Sequence, residues 1–300
     1  MRRLDATAYL APEDLTAELA HELGDVTAAH DRLLVAPGPP RDVVWAQNVW
    51  LEPVEIPIAS IKDAARSLRA IQRNWALYSF TEHRRAKLIE SGLPVVSARP
   101  IEPYGDLPSA PLGSFTLLDR STVLASARCA SPFPNGEMRF VEDRRGPPSR
   151  AYLKLWELFT RLGEAPAPGA RCVDLGSAPG GWTWALARLG CEVLSVDKAE
   201  LDPAVAALPG VTHARQSAFA LDPRGVGPVD WVLSDVICFP ERLLGLIQRW
   251  IDAGVAARFV CTVKLKGATD HETLARFAAI PGSRLVHLFH NRHELTWHRM

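Results

Sequence analysis

At 300 residues and 47% hydrophobic content, the chain is long enough for one large domain or for a core with an accessory domain. Lysine plus arginine and aspartate plus glutamate stand at 34 each and no polybasic arm is present, so any contact with nucleic acid has to come from local clustering rather than from the overall field. No apolar run approaches the ~18 residues of a membrane span, no signal-like segment opens the chain, and the five cysteines, at 129, 172, 191, 238 and 261, form no CxxC pair. The expectation is a soluble cytoplasmic protein with reduced thiols and no membrane partner, a monomer by default.

Residues 6–11 read as a short strand, 12–23 as an amphipathic helix ended by Gly24, and 32–36 as a second strand. Segment 43–50 is strand-like, 61–78 has the spacing of one long helix, and 82–90 is a further helix carrying His83-Arg84-Arg85 and Lys87. That basic cluster reads as a solvated face before it reads as a phosphate contact. Trp45, Trp50 and Trp75 are expected in the core rather than stacked on bases. Proline and glycine crowd 94–113, and 114–118 with 122–127 alternate around Asp119-Arg120-Ser121 as a hairpin, which puts a boundary near 100–112. The predicted organisation is a small α/β domain over 1–110, a hairpin and Pro/Gly-rich connector over 111–148, and a second α/β domain over 149–300.

From residue 149 strands and helices alternate with short loops, the pattern of a parallel sheet covered on both faces. Helices are predicted at 150–162, 180–189, 240–253 and 270–279. Strands are predicted at 171–175, 192–196, 211–214, 230–234, 258–263, 284–289 and 294–298. The first strand leads into Gly176-Ser177-Ala178-Pro179-Gly180-Gly181-Trp182, where missing Cβ atoms let a ligand approach the backbone at a helix start. Asp197 closes the second strand, where one carboxylate grips vicinal ribose hydroxyls. The loop is neither GxGxxG nor a P-loop, which favours a single adenosine over a dinucleotide.

Only six of the basic residues are lysines (62, 87, 154, 198, 264 and 266), so Lys154 and Lys264 stand out inside apolar sequence. Asp235, Lys264 and Glu294 lie at strand ends on the carboxyl edge, and with Lys154 they make an interleaved set of two cations and two anions. His287, His290, His293 and His298 are spaced along an extended segment without ligand-type cysteines, and no metal is expected.

The glycine loop with Lys154, Asp235, Lys264 and Glu294 resembles the FtsJ-type ribose 2′-O-methyltransferases, whose K-D-K-E tetrad these four positions match in order. The resemblance covers roughly residues 149–300. The join from Ala130-Ser131-Pro132-Phe133-Pro134 to Lys154-Leu155 is similar to that of the bacterial large-subunit rRNA cytidine 2′-O-methyltransferase family, with a shorter N-terminal part. The resemblance implies a Rossmann-like methyltransferase sheet, mostly parallel with an antiparallel last strand, and an N-terminal domain that binds and presents RNA. It implies S-adenosylmethionine as cofactor, released as S-adenosylhomocysteine, and RNA, ribosomal above all, as partner. Asp174, Gly176, Ser177, Pro179, Gly180, Gly181, Trp182, Asp197 and Asp235 are the implied cofactor residues. Gln216 or Ser217 stands in for the acidic residue that commonly meets the adenine amine.

In the implied reaction a ribose hydroxyl must be aligned and relieved of its proton. Lys264, its pKa expected to be lowered by burial and by Lys154, takes that proton or stabilises developing charge. Asp235 positions the Lys264 amine, while Lys154 and Glu294 orient the hydroxyl. Two other readings stay open: a catalytically impaired methyltransferase fold that binds RNA or assists ribosome assembly, and methylation of a small molecule or a protein.

Overall fold

The computed structural model describes residues 1–300, and its backbone contacts divide the chain into two units. Met1–Ile101 with Leu107–Arg139 form the first, and Glu102–Asp106 with Phe140–Met300 the second.

Two five-stranded sheets build the first unit. One has the order β1 (Arg2–Arg3), β6 (Val54–Pro57), β9 (Thr122–Ser126), β8 (Gly113–Asp119), β7 (Trp75–Leu77), and the other β10 (Arg128–Cys129), β5 (Asn48–Leu51), β2 (Ala6–Leu10), β4 (Leu33–Pro37), β3 (Ala28–His30). Three helices accompany them, α1 (Thr16–Leu23), α2 (Ile61–Ile71) and α3 (His83–Glu90). The strand expected over 43–50 is confined to β5, because the N–H groups of Val44 and Trp45 donate to the Glu22 carboxylate at 2.7 and 3.0 Å. The long helix expected over 61–78 is a helix and a strand. Gln72 turns extended, and Trp75–Leu77 pairs in parallel with β8. The hairpin expected in a connector is β8–β9, and β9 pairs with β6 across Val54 to Pro57. Phe115, Leu117, Val123 and Ala125 point into the first unit's core, so burial of their apolar face draws the hairpin into that sheet. The three tryptophans 45, 50 and 75 are buried.

The second unit follows the predicted alternation closely. Its helices are α4 (Tyr152–Leu162), α5 (Gly181–Arg188), α6 (Pro203–Ala206), α7 (Pro223–Val226), α8 (Pro240–Ala253) and α9 (His271–Ala278). Its strands are β11 (Arg171–Leu175), β12 (Glu192–Asp197), β13 (Val211–Arg215), β14 (Val229–Ser234), β15 (Ala256–Lys264), β16 (Ser283–Val286) and β17 (Glu294–Arg299), in the sheet order β13-β12-β11-β14-β15-β17-β16. β11 to β15 pair in parallel, whereas β17 is antiparallel to both β15 and β16. The strand expected over 284–289 stops at Val286, since the N–H groups of Phe289 and His290 go to Glu157 instead of to the ladder. The chain leaves β11 outward through β12 and β13, then returns to β14 on its other side. That reversal of order opens a crevice at the carboxyl ends of β11 and β14, where such sheets bind ligands.

Candidate active site

Strand β11 is buried from Cys172 to Leu175, and the chain must then turn sharply to enter α5. Gly176 makes that turn at φ +75°, where a Cβ would stand 2.5 Å from the Val236 Cβ. Gly180 caps α5 at φ +115°. Both positions exclude a side chain, so the loop lies close against its neighbours and leaves a cavity of about 290 Å³ in front of it. Asp174, Gly176, Ser177 and Pro179 line this cavity, as do Gly181, Trp182, Asp197 and Asp235. Asp197 is fixed by the N–H groups of Ala178, at 3.2 Å, and Ala199, at 2.9 Å.

Asp174 is fully buried. Its Oδ2 accepts the Thr183 hydroxyl at 2.7 Å, in a chain that continues through Ser195 to Ser177, while its Oδ1 has no hydrogen-bond partner. Burial pushes its pKa up to about 7, against the opposing pull of the Thr183 hydrogen bond.

Four elements bring the tetrad together at one end of the cavity. Lys154 is on α4, Asp235 follows β14, Lys264 ends β15, and Glu294 opens β17 directly opposite Lys264 in the antiparallel register. Asp235 Oδ1 accepts from both ammonium groups, Lys154 Nζ at 2.8 Å and Lys264 Nζ at 2.5 Å. Glu294 takes the same two on separate oxygens, each at 3.0 Å. The result is a closed ring of alternating charge, with Lys154 and Glu294 buried and Lys264 and Asp235 facing the cavity. Lys154 Nζ also lies 6.0 Å from the Trp182 ring centroid, and Trp182 Nε1 donates to Ala151 O at 2.9 Å, tying α5 to α4.

The electrostatics correct one expectation. Burial on its own would lower the Lys264 pKa, but Asp235 and Glu294 outweigh it and the net shift is upward. Burial would likewise raise that of Glu294, yet Lys154 and Lys264 hold it down at about 2. The repulsion expected from Lys154 is cancelled by the two carboxylates between the lysines, and Lys264 rests as an ammonium.

Gln216 and Ser217 are not gathered into the cavity. Gln216 is exposed and lines a separate space between β13 and α7, while the Ser217 hydroxyl accepts from Phe219 N at 3.3 Å within a turn. They lie beyond Arg215, the residue that pairs with Asp197, so the chain has already turned away from the sheet edge. No group of three or more His, Cys, Asp or Glu side chains is arranged to hold a metal ion.

Two residues of the site were assigned no role from the sequence. Asn291 is buried, accepts Leu288 N and the Thr296 hydroxyl on Oδ1 at 2.8 and 3.2 Å, and donates Nδ2 to Glu294 at 3.4 Å. Glu157, one turn after Lys154 on α4, is fully buried. It accepts the N–H groups of Phe289 and His290, the His290 ring nitrogen at 2.7 Å, and the Arg161 guanidinium at 2.6 Å. Burial would raise its pKa, but Arg161 and His290 bring it below the usual carboxylate range. The turn before Glu294 is thereby bolted to the helix that carries Lys154.

Residues 147–254 match the family model of the FtsJ-like methyltransferases. Among curated relatives, the ribosomal RNA large subunit methyltransferase M of Halorhodospira halophila is 39% identical over 172 residues, covering 55% of this chain and 50% of the relative. Its counterpart in Aromatoleum aromaticum is 37% identical over 164 residues, 49% of this chain and 44% of the relative. That of Methylococcus capsulatus is 35% identical over 182 residues, 56% and 51%. The chain spans about half the length of the curated relatives it matches. Over residues 147–254 the chain is similar to the FtsJ-like methyltransferases, and these residues lie in the second unit with its Rossmann-like, mostly parallel sheet.

Proposed function

We propose that this protein is an S-adenosylmethionine-dependent RNA methyltransferase that transfers a methyl group to a ribose 2′-hydroxyl, with ribosomal RNA as substrate. The observation that carries the reading is the closed ring of Lys154, Asp235, Lys264 and Glu294 at the end of the glycine-loop cavity. The relatives named as ribosomal RNA methyltransferases support the substrate class.

The residues fit the cofactor. Gly176 and Gly181 bring the loop backbone to the cavity wall, Asp197 offers a carboxylate to a pair of ribose hydroxyls, and Asp174 Oδ1 is a buried acceptor without a partner, suited to a cationic methionine end. When bound, S-adenosylmethionine supplies an electrophilic methyl carbon.

Asp235 and Lys264 are the ring members that line the cavity, so they are the groups a ribose hydroxyl meets. Lys264 as an ammonium directs an N–H at the oxygen, and Asp235 and Glu294 hold that N–H in place. As the oxygen attacks, its proton leaves to solvent and the Lys264 ammonium, held by Asp235 and Glu294 within 3.0 Å, stabilises the negative charge that develops on it. Lys154 bridges the two carboxylates from the buried side of the ring.

Incubation with labelled S-adenosylmethionine and bacterial ribosomal RNA, followed by mapping of 2′-O-methylated positions, tests the proposal. Lys264→Ala should lower transfer by roughly a thousandfold or more, while the dissociation constant for S-adenosylmethionine changes by no more than a few-fold. Label appearing in protein, or RNA binding with no S-adenosylmethionine uptake, would instead favour the readings set aside here.

A further inference from the structure

The segment between Asp235 and α8 presents two large apolar side chains to water. From Val236 it alternates: Val236 lies against Gly176, Ile237 is 71% exposed, Cys238 is buried, Phe239 is 66% exposed, and Pro240 is buried as the first residue of α8. Ile237 and Phe239, two residues apart, are thus both turned to water, with the buried Cys238 between them. Ile237 itself lines the catalytic cavity, which puts it at the cavity mouth, with Phe239 two residues further along the chain. From the other chemistry-bearing strand, Lys266, two residues beyond Lys264, places its ammonium 5.9 Å from the Phe239 ring centroid. Single exposed hydrophobes are ordinary, but two so close in the chain, one of them at the mouth of a charged cleft, mark a contact surface.

We infer that Phe239, flanked by Ile237 and Lys266, is a stacking platform for an unpaired RNA base beside the methylated ribose. The inference rests on the proposed function and specifies how the substrate is held. A ribose hydroxyl reaching Lys264 must belong to a nucleotide drawn out of a helical stack, and its base then needs a new apolar face. An aromatic ring supplies that face without base identity, and a neighbouring cation meets the phosphate that follows the base. The occupant is therefore single-stranded RNA, or a splayed loop, rather than a duplex. A protein segment would value the apolar area of Ile237 and Phe239 but would gain nothing special from a ring.

The platform is tested with a short single-stranded RNA carrying the fluorescent base 2-aminopurine, titrated with the intact protein. Wild type and Phe239→Trp should quench the base on binding. Phe239→Ala and Phe239→Leu should lose the quench and weaken binding roughly tenfold, with S-adenosylmethionine affinity and thermal midpoint kept. In the methylation assay the loss should fall on the RNA KM rather than on kcat, and Phe239→Trp should restore it. Lys266→Ala should weaken RNA binding and flatten its salt dependence. Equal quenching by wild type and Phe239→Ala, or full binding by Phe239→Leu, overturns the platform. So does an absence of RNA binding altogether, which would leave a protein as the partner of this patch. Quenching that depends on Phe239 without any methyl transfer would support the platform while refuting the proposed reaction, so the two failures are distinguishable.

Discussion

Glu294 is held by three side chains that come from different parts of the chain, and its position between the two ammonium groups decides whether the ring closes. Asn291 ties the carboxylate to its own turn, since its Oδ1 closes the turn on Leu288 N while its Nδ2 reaches Glu294. Asn291→Ala should cost about 1–3 kcal/mol of stability through the Leu288 N–H left without its acceptor. Turnover should fall roughly tenfold or more as Glu294 drifts. Chemical denaturation gives the first number and single-turnover methyl transfer at saturating cofactor gives the second; a folded variant with wild-type rates would show that Asn291 only shapes the turn. The four charged positions were legible in the sequence because Asp235, Lys264 and Glu294 at the ends of apolar strands, and Lys154 inside an apolar helix, contradict their surroundings. Asn291 and Glu157 were not legible, because their meaning comes from hydrogen bonds to backbone groups, and those of Glu157 reach across 132 and 133 residues. A buried glutamate on an amphipathic helix has the same local pattern as an exposed one.

Elements of the second unit could be read from sequence because most of its strands are short apolar runs bounded by turn residues, and some of its helices start at a capping aspartate. Asp270, for example, accepts Thr273 N at 3.0 Å and starts α9. The first unit offered fewer such signals. Trp75 to Tyr78 continues the apolar spacing of α2, so the period alone reads as more helix, yet these residues form a strand whose four consecutive side chains are buried on both faces. The break is enforced from the strand side: Trp75 Nε1 donates to the carbonyls of Leu68 and Gln72, both at 3.0 Å, and so ends α2 with a side chain that lies beyond it. Trp75→Phe keeps the ring near Phe115 but removes both bonds, and should destabilise the protein by about 1–3 kcal/mol. Equilibrium denaturation followed by intrinsic fluorescence measures this, and S-adenosylmethionine binding should be unchanged because the site lies wholly in the other unit. An unchanged denaturation midpoint would mean that water replaces the indole N–H at no cost.

Three buried titratable groups of the second unit give the molecule's unfolding a pH dependence whose parts run in opposite directions. Glu294 has its pKa depressed from 4.5 to about 2 in the fold, so its stabilisation is complete above pH 4.5 and is lost as pH falls toward 2. His287, chiefly through burial, is brought from 6.5 to about 4; the unfolded chain binds its proton first, and stability falls as pH drops from 6.5 through 4. Asp174 has the reverse sign. Burial raises it from 3.8 to about 7, so the fold is favoured while that carboxyl is protonated and loses stability as pH rises through 7. Difference curves between variants and wild type separate these contributions. Asp174→Asn should gain thermal midpoint relative to wild type as pH rises from 3.8 to beyond 7, because the amide never takes on the buried charge. Glu294→Gln should show the opposite trend, its deficit greatest above pH 4.5 and shrinking as wild-type Glu294 is itself protonated. Calorimetry across that range decides the matter: two difference curves that run parallel would mean neither group titrates inside the fold as its surroundings require. Bound S-adenosylmethionine should flatten the Asp174 curve, since a cation beside Oδ1 offsets the charge that burial penalises.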